Sequence, residues 1–211
     1  MTPVVLLMTS LAGATDWSTP VKQGHPTRAL LLGGSGEGHW NAGLSVGSPW
    51  VTATTQVGLR GGWTPIVEVQ SASFARWQPA VGVGKRWIDR SWRLTGESVL
   101  GWTLQGEPVP FRGPAAELRM KGGRAVGRFV PYAHVGLRSS RTIDHTEDTS
   151  GEVLRSSIRW ETSFSGAVGT GLALGDRIGV DVGADLPWID VPNPSLPGLH
   201  VGVHGGWGRT Q

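Results

Sequence analysis

Side chains of opposite character alternate along most of this chain, and that period constrains the fold more than any other feature. In residues 177–188, RIGVDVGADLPW, one row holds Ile178, Val180, Val182, Ala184, Leu186 and Trp188, and the other holds Gly179, Asp181, Gly183 and Asp185. A period of two is the signature of a β-strand whose successive side chains face opposite ways. The apolar row must cover something apolar, and the question is which side of the strand that is.

The same pattern recurs along the chain. HWNAGLSVG sets Trp40, Ala42, Leu44 and Val46 against Asn41, Gly43 and Ser45. VTATTQVGLRGGW (51–63), WQPAVGVGKRW (77–87), WRLTGESVLGW (92–102), AELRMK (116–121), FVPYAHVGLR (129–138), IRWETSFSGAVGTGLAL (158–174) and LHVGVHGGW (199–207) read alike, with Val99 out of place on a polar row. RALLLGG (28–34) is expected as a first strand, although its leucine run does not alternate. About ten strands result, with eight as the smaller alternative.

Composition agrees. Gly 33 and Pro 14 in 211 residues oppose a helical bundle, and Trp 11 opposes disorder. With no cysteine, disulfide staples, thiolate zinc sites and thiol catalysis are excluded. The net charge of +3 comes from scattered basic residues without a basic aromatic tract, so nucleic acid is not an expected partner. MTPVVLLMTSLAGA carries a short apolar run and an A-x-A pattern, the marks of an export signal. Residues 1–14 are accordingly expected as a signal peptide, 15–27 as a polar leader, and 28–211 as one β-domain.

Connections of two kinds are expected. Short turns fall at 48–49, 88–91, 122–127 and 175–176; longer polar or proline-rich segments fall at 64–76, 105–114, 141–155 and 190–197. Their alternation implies an up-and-down arrangement with one plain and one elaborate end. On the strand directions so inferred, Trp40, Trp63, Trp77, Trp102, Trp160 and Trp188 fall at the elaborate end, and Trp50, Trp87, Trp92 and Trp207 at the plain end. Trp77 to Trp87 and Trp92 to Trp102 each span ten residues. Ten strand steps at a tilt of about 40–45° rise roughly 23–25 Å, close to the apolar band of a membrane barrel.

With this alternation, these connections and this tryptophan placement, residues 28–209 resemble the bacterial outer-membrane β-barrel proteins. The resemblance implies an all-β, closed, up-and-down antiparallel transmembrane barrel in the cell outer membrane. Its expected partners are outer-membrane lipid and the outer-membrane assembly machinery; partners of the loops are not legible. The chain ends GGWGRTQ, whereas such proteins commonly end on an aromatic residue.

If the apolar row meets lipid, the other row lines the lumen. The expected lining is Arg60, Arg86, Arg93, Arg119, Lys121, Arg138 and Arg159 with Glu97, Glu117, Glu161, Asp181, Asp185, His134, His200 and His204. Opposite charges held from bulk water should pair, filling and stiffening a narrow barrel. A thin hydrated path for small solutes is the sharper alternative. The expected role is therefore structural or a restricted passive pore, without catalytic residues, metal or cofactor.

A soluble exported barrel that binds a small ligand would share the alternation but reverse its faces. A membrane-embedded hydrolase would rest on His200 with Asp185, the best acid–base pair available. His200 and His204 lie about 13 Å apart along one strand, too far to share a metal. Residues 141–155, with Asp144, His145, Glu147 and Asp148, lack the spacing of a calcium loop and read as a solvated loop.

Overall fold

The structure, a computed structural model, describes residues 21–22, 24–47, 50–72, 76–89, 92–106, 111–147, 153–186 and 198–208. The expected signal peptide, residues 1–14, lies outside the described residues. A short helix, α1 (Pro26–Leu32), precedes ten strands: β1 (Trp40–Gly47), β2 (Trp50–Val57), β3 (Trp63–Ala72), β4 (Arg76–Asp89) and β5 (Trp92–Gln105), then β6 (Phe111–Arg124), β7 (Phe129–Glu147), β8 (Val153–Ala173), β9 (Ile178–Leu186) and β10 (Gly198–Trp207). Each strand pairs antiparallel with its neighbours in sequence, and β1 pairs with β10, so the sheet closes. No strand edge is left along the ring, which is what lets a sheet enter a medium without water.

The burial is inside-out. Leu100 is 63% exposed and Val201 57%, whereas Glu97 is 4% and Asp181 5% exposed. The apolar row faces outward and the ionic row is enclosed, which answers the question raised by residues 177–188. The soluble ligand-binding barrel is excluded by that inversion.

Two expectations about the strands are corrected, and they compensate in the count. Residues 28–34 are not a strand. Pro26–Leu32 is a helix with Pro at its first turn and His25 as N-cap, buried inside the barrel. The absence of alternation in Leu30-Leu31-Leu32 was the signal, because a helix surrounded by wall can be apolar on several sides. Conversely, residues 64–76 are mostly β3. Its alternation, with Val67 and Val69 outward and Ile66 and Glu68 inward, is masked by Pro65 and by an apolar residue on the lumen side.

These corrections reset the strand directions. One end carries the β2–β3, β4–β5, β6–β7 and β8–β9 connections; the other carries the β1–β2, β3–β4, β5–β6, β7–β8 and β9–β10 connections. The β1–β2 connection therefore belongs to the elaborate end, not the plain one. Most of residues 141–155, expected as a loop, continue β7 and β8, which pair with each other to Glu147↔Val153. Among the described residues, β6 follows β7 only to Ala115↔Ser140, and β9 follows β8 only to Gly166↔Leu186. Along that stretch β7 and β8 run on as a two-stranded ribbon.

The glycines have a common explanation. On the inner face they stand opposite large polar residues: Gly183 opposite His200, Gly202 opposite Asp181, Gly179 opposite His204, Gly84 opposite Glu97 and Gly136 opposite Arg119. A Cβ at Gly183 would sit 2.6 Å from both the His200 ring and the Tyr132 hydroxyl. Small opposite large is how a narrow barrel is filled. Other inward glycines make room for the helix: a Cβ at Gly123 would meet Leu32 at 2.7 Å, at Gly43 Leu30 at 3.0 Å, and at Gly206 Pro26 at 3.1 Å.

Candidate functional site: the lumen

The lumen divides into a filled lower part at the plain end and a cavity above it. Helix α1 lies across the lower part, and Thr27, Ala29 and Leu32 have almost no exposed surface. Leu32 packs with Val21, Val130, Tyr132 and Ala173 in the apolar core of the interior. After Leu32 the chain must turn sharply, and Gly33 and Gly34 do so at φ 71° and 73°, a region that glycine enters without a steric penalty.

A charged latch holds that turn. The Arg93 side chain, fully buried, donates to the carbonyls of Gly33 (3.3 Å) and Gly34 (3.0 Å) and to Asp89 Oδ1. Asp89 also meets Arg86 at 3.2 Å and Arg28 at 3.5 Å. Arg86 faces inward by the alternation of β4, and a register shift between Arg86 and Ile88 turns Asp89 inward as well; the extra residue of a bulge changes which face follows. Strand alternation alone does not find Asp89, and Arg28 lay in the misassigned first strand.

Above the helix, a cavity of about 240 Å³ is floored by Leu30 and Leu31. On one side Arg119 bridges Glu68 (2.7 Å) and Glu117 (2.8 Å), with Gln70 donating to Glu68 at 2.6 Å. Lys121 meets Glu97 at 3.0 Å, and Arg138 donates to Gln78. Glu68 and Gln70 were missed because β3 was read as a loop. Guanidinium between two carboxylates satisfies all three groups, the condition for burying such ions without a prohibitive cost.

On the other side stand Asp181, Asp185, His200, His204 and Tyr132. His200 Nδ1 lies 3.1 Å from Asp185 Oδ1, and its Nε2 lies 2.6 Å from the Tyr132 hydroxyl and 3.2 Å from Asp181 Oδ2. His204 Nε2 reaches Asp181 Oδ1 at 2.9 Å. The two histidines thus share one carboxylate, lying across the space that Gly202 leaves between them. The pairing of His200 with Asp185 is present, but both ring nitrogens of His200 face other side chains.

Of the other lumen residues read from sequence, His134 faces the cavity. Arg60 does not belong to the lining: its side chain is 92% exposed in a tight turn (Arg60–Gly62) and pairs with Glu37 at 3.0 Å. The strand was read as continuous through that turn. Arg159 is exposed on the ribbon and Glu161 is half-buried at its base.

On the outer face, Trp40, Trp63, Trp87, Trp92 and Trp207 lie at the plain end, Trp40 directly across from Trp207. Trp77, Trp102 and Trp160 lie toward the elaborate end, and Trp50 opens β2 there. Trp40, Trp50 and Trp63 thus change ends relative to the reading from sequence, because the first two strands were misplaced. Trp188 lies outside the described residues. Lys85 stands over the Trp63 ring at 4.6 Å.

A closed barrel that is apolar outside and ionic inside is stable against hydrocarbon and not in water, so the chain is built as a membrane-spanning β-barrel. No family model and no curated protein matches its sequence. Among solved structures it is similar to the N-terminal β-barrel domain of Pseudomonas aeruginosa OprF, at 9% identity and a TM-score of 0.41 over 80% of this chain and 96% of that one. It is also similar to Ail, the attachment invasion locus protein of Yersinia pestis (11%, 0.35, 81% and 97%). A third is outer membrane phospholipase A from Escherichia coli (8%, 0.36, 89% and 98%). No functional reading of this chain rests on likenesses so distant.

Proposed function

We propose that the protein is a structural outer-membrane barrel whose lumen is shut, a rigid wall that carries the β7–β8 ribbon beyond the barrel. The observation that carries this reading is α1 lodged across the lumen and tied by Arg93. Side chains that fill the remaining cross-section are paired, which favours stiffness over passage. The outward tryptophans at the two ends act in this reading as interfacial girdles, each ring bridging headgroup and hydrocarbon. The test is conductance of the refolded full chain in planar bilayers at about pH 7.5. The expected result is a silent bilayer. Discrete, steady steps in the wild-type protein would overturn the reading.

A further inference from the structure

The N-cap of α1 is a histidine, and its surroundings make its protonation incompatible with the docked helix. His25 is buried, 3% exposed. Its Nδ1 accepts a hydrogen bond from the Thr27 N–H at 3.2 Å. Its Nε2 lies 2.9 Å from the carbonyl oxygen of Gly175, in the β8–β9 connection. An amide N–H can only donate and a carbonyl can only accept, so the ring must be neutral with its proton on Nε2. A second donor reaches the same carbonyl: Arg128, in the β6–β7 connection, at 3.2 Å.

We propose that α1 is a proton-controlled plug: protonation of His25 releases the helix from the plain end and opens a path for small ions through the lumen. The inference rests on the shut lumen described above and adds the means of opening it. Three effects of the proton act together. Nδ1 loses its lone pair, so the Thr27 N–H loses its acceptor and the helix its cap. A positive charge then sits at the unsatisfied N–H end of the helix, where cations are disfavoured. The imidazolium also faces the Arg128 guanidinium across a shared carbonyl.

Other charged groups around His25 are few. Asp176 in the β8–β9 connection opposes these effects, but it is engaged by Lys22 at 3.6 Å; His204 on β10 adds to the repulsion. His39, preceding β1, packs against Gly24 beside His25. Burial lowers the His25 imidazole below the ordinary histidine range, with Arg128 acting in the same direction and the Gly175 carbonyl and Asp176 against it. The docked helix therefore binds fewer protons than the released one. Docking is fully stable above the ordinary histidine value of about 6.5 and is lost progressively as pH falls below it.

The experiment is bilayer conductance of the full chain at about pH 7.5 and about pH 4.5, with heat-modifiable gel migration confirming folded barrels. The wild type, silent at about pH 7.5, should show discrete conducting steps at about pH 4.5. His25→Asn, a good N-cap that does not titrate, should stay silent at both values. A wild type silent at both values overturns the plug but not the shut barrel. Acid opening equal in His25→Asn also overturns the plug. Conduction by the wild type at about pH 7.5 is the separate failure of the shut-barrel reading.

Discussion

The lower and upper halves of the lumen are walled by the same strands, yet they are filled by opposite means. Below, glycines clear a channel, and a helix of the same chain occupies it with its apolar side chains in contact with bare backbone. Above, glycines clear space for long ionic side chains, which reach inward and pair with one another around a cavity of about 240 Å³. The difference is one of reversibility. Side chains on a strand cannot leave the lumen while the barrel stands. A helix joined to the wall through the turn at Gly33 and Gly34 can, so the lower half is where a change of state is physically available.

Substitutions that break one half and spare the other sharpen this contrast. Arg119→Met strikes the upper half and leaves Glu68 and Glu117 buried without their cation; about 3–5 kcal/mol should be lost in urea unfolding from lipid vesicles, with bilayers remaining silent. Arg93→Met strikes the lower half. A comparable loss of about 3–5 kcal/mol is expected, this time with conductance at neutral pH because the helix is unlatched. If both variants conduct, or neither does, the division into a fixed and a releasable half is wrong.

Val182→Arg tests the wall outside both halves. Val182 is 52% exposed on the outer face, and a midplane arginine there should cost about 2–4 kcal/mol. Gly123→Ala crowds both the Pro131 carbonyl of β7 and Leu32 of the helix, and should cost about 1–3 kcal/mol by overpacking, read from the same unfolding transitions. The smallest effect belongs to Leu100→Val on the lipid face, where loss of one methylene against fluid hydrocarbon should change stability by less than about 0.5 kcal/mol. A large effect there would mean that Leu100 packs against protein.

Much of this was legible in the chain itself. The alternation of Val180, Val182 and Val201 with Asp181, Gly183 and His200 marks strands and, with tryptophans near their ends, the outward face of the apolar row. The alternation of β5, β6, β9 and β10 puts Arg93, Glu97, Glu117, Arg119, Asp181, Asp185, His200 and His204 on one row, and all of these except Asp185 are buried. Local pattern failed where it was broken: at Pro65-Ile66 in β3, at the bulge near Arg86, and at Leu30-Leu31-Leu32. A periodic rule cannot see a register shift, and it takes an unpatterned apolar run for a strand.

What the sequence determined by itself is the inside-out wall, because a period of two assigns each side chain to a face before any partner is known. Which face partners meet was decided by the tertiary structure: that Glu68 from β3 closes on Arg119 from β6, that Asp181 lies between His200 and His204, and that the N-terminal segment folds back into the barrel. These contacts join residues separated by the circumference of a closed ring or by a chain reversal. Their energies depend on distance and burial, which appear only once the ring is shut.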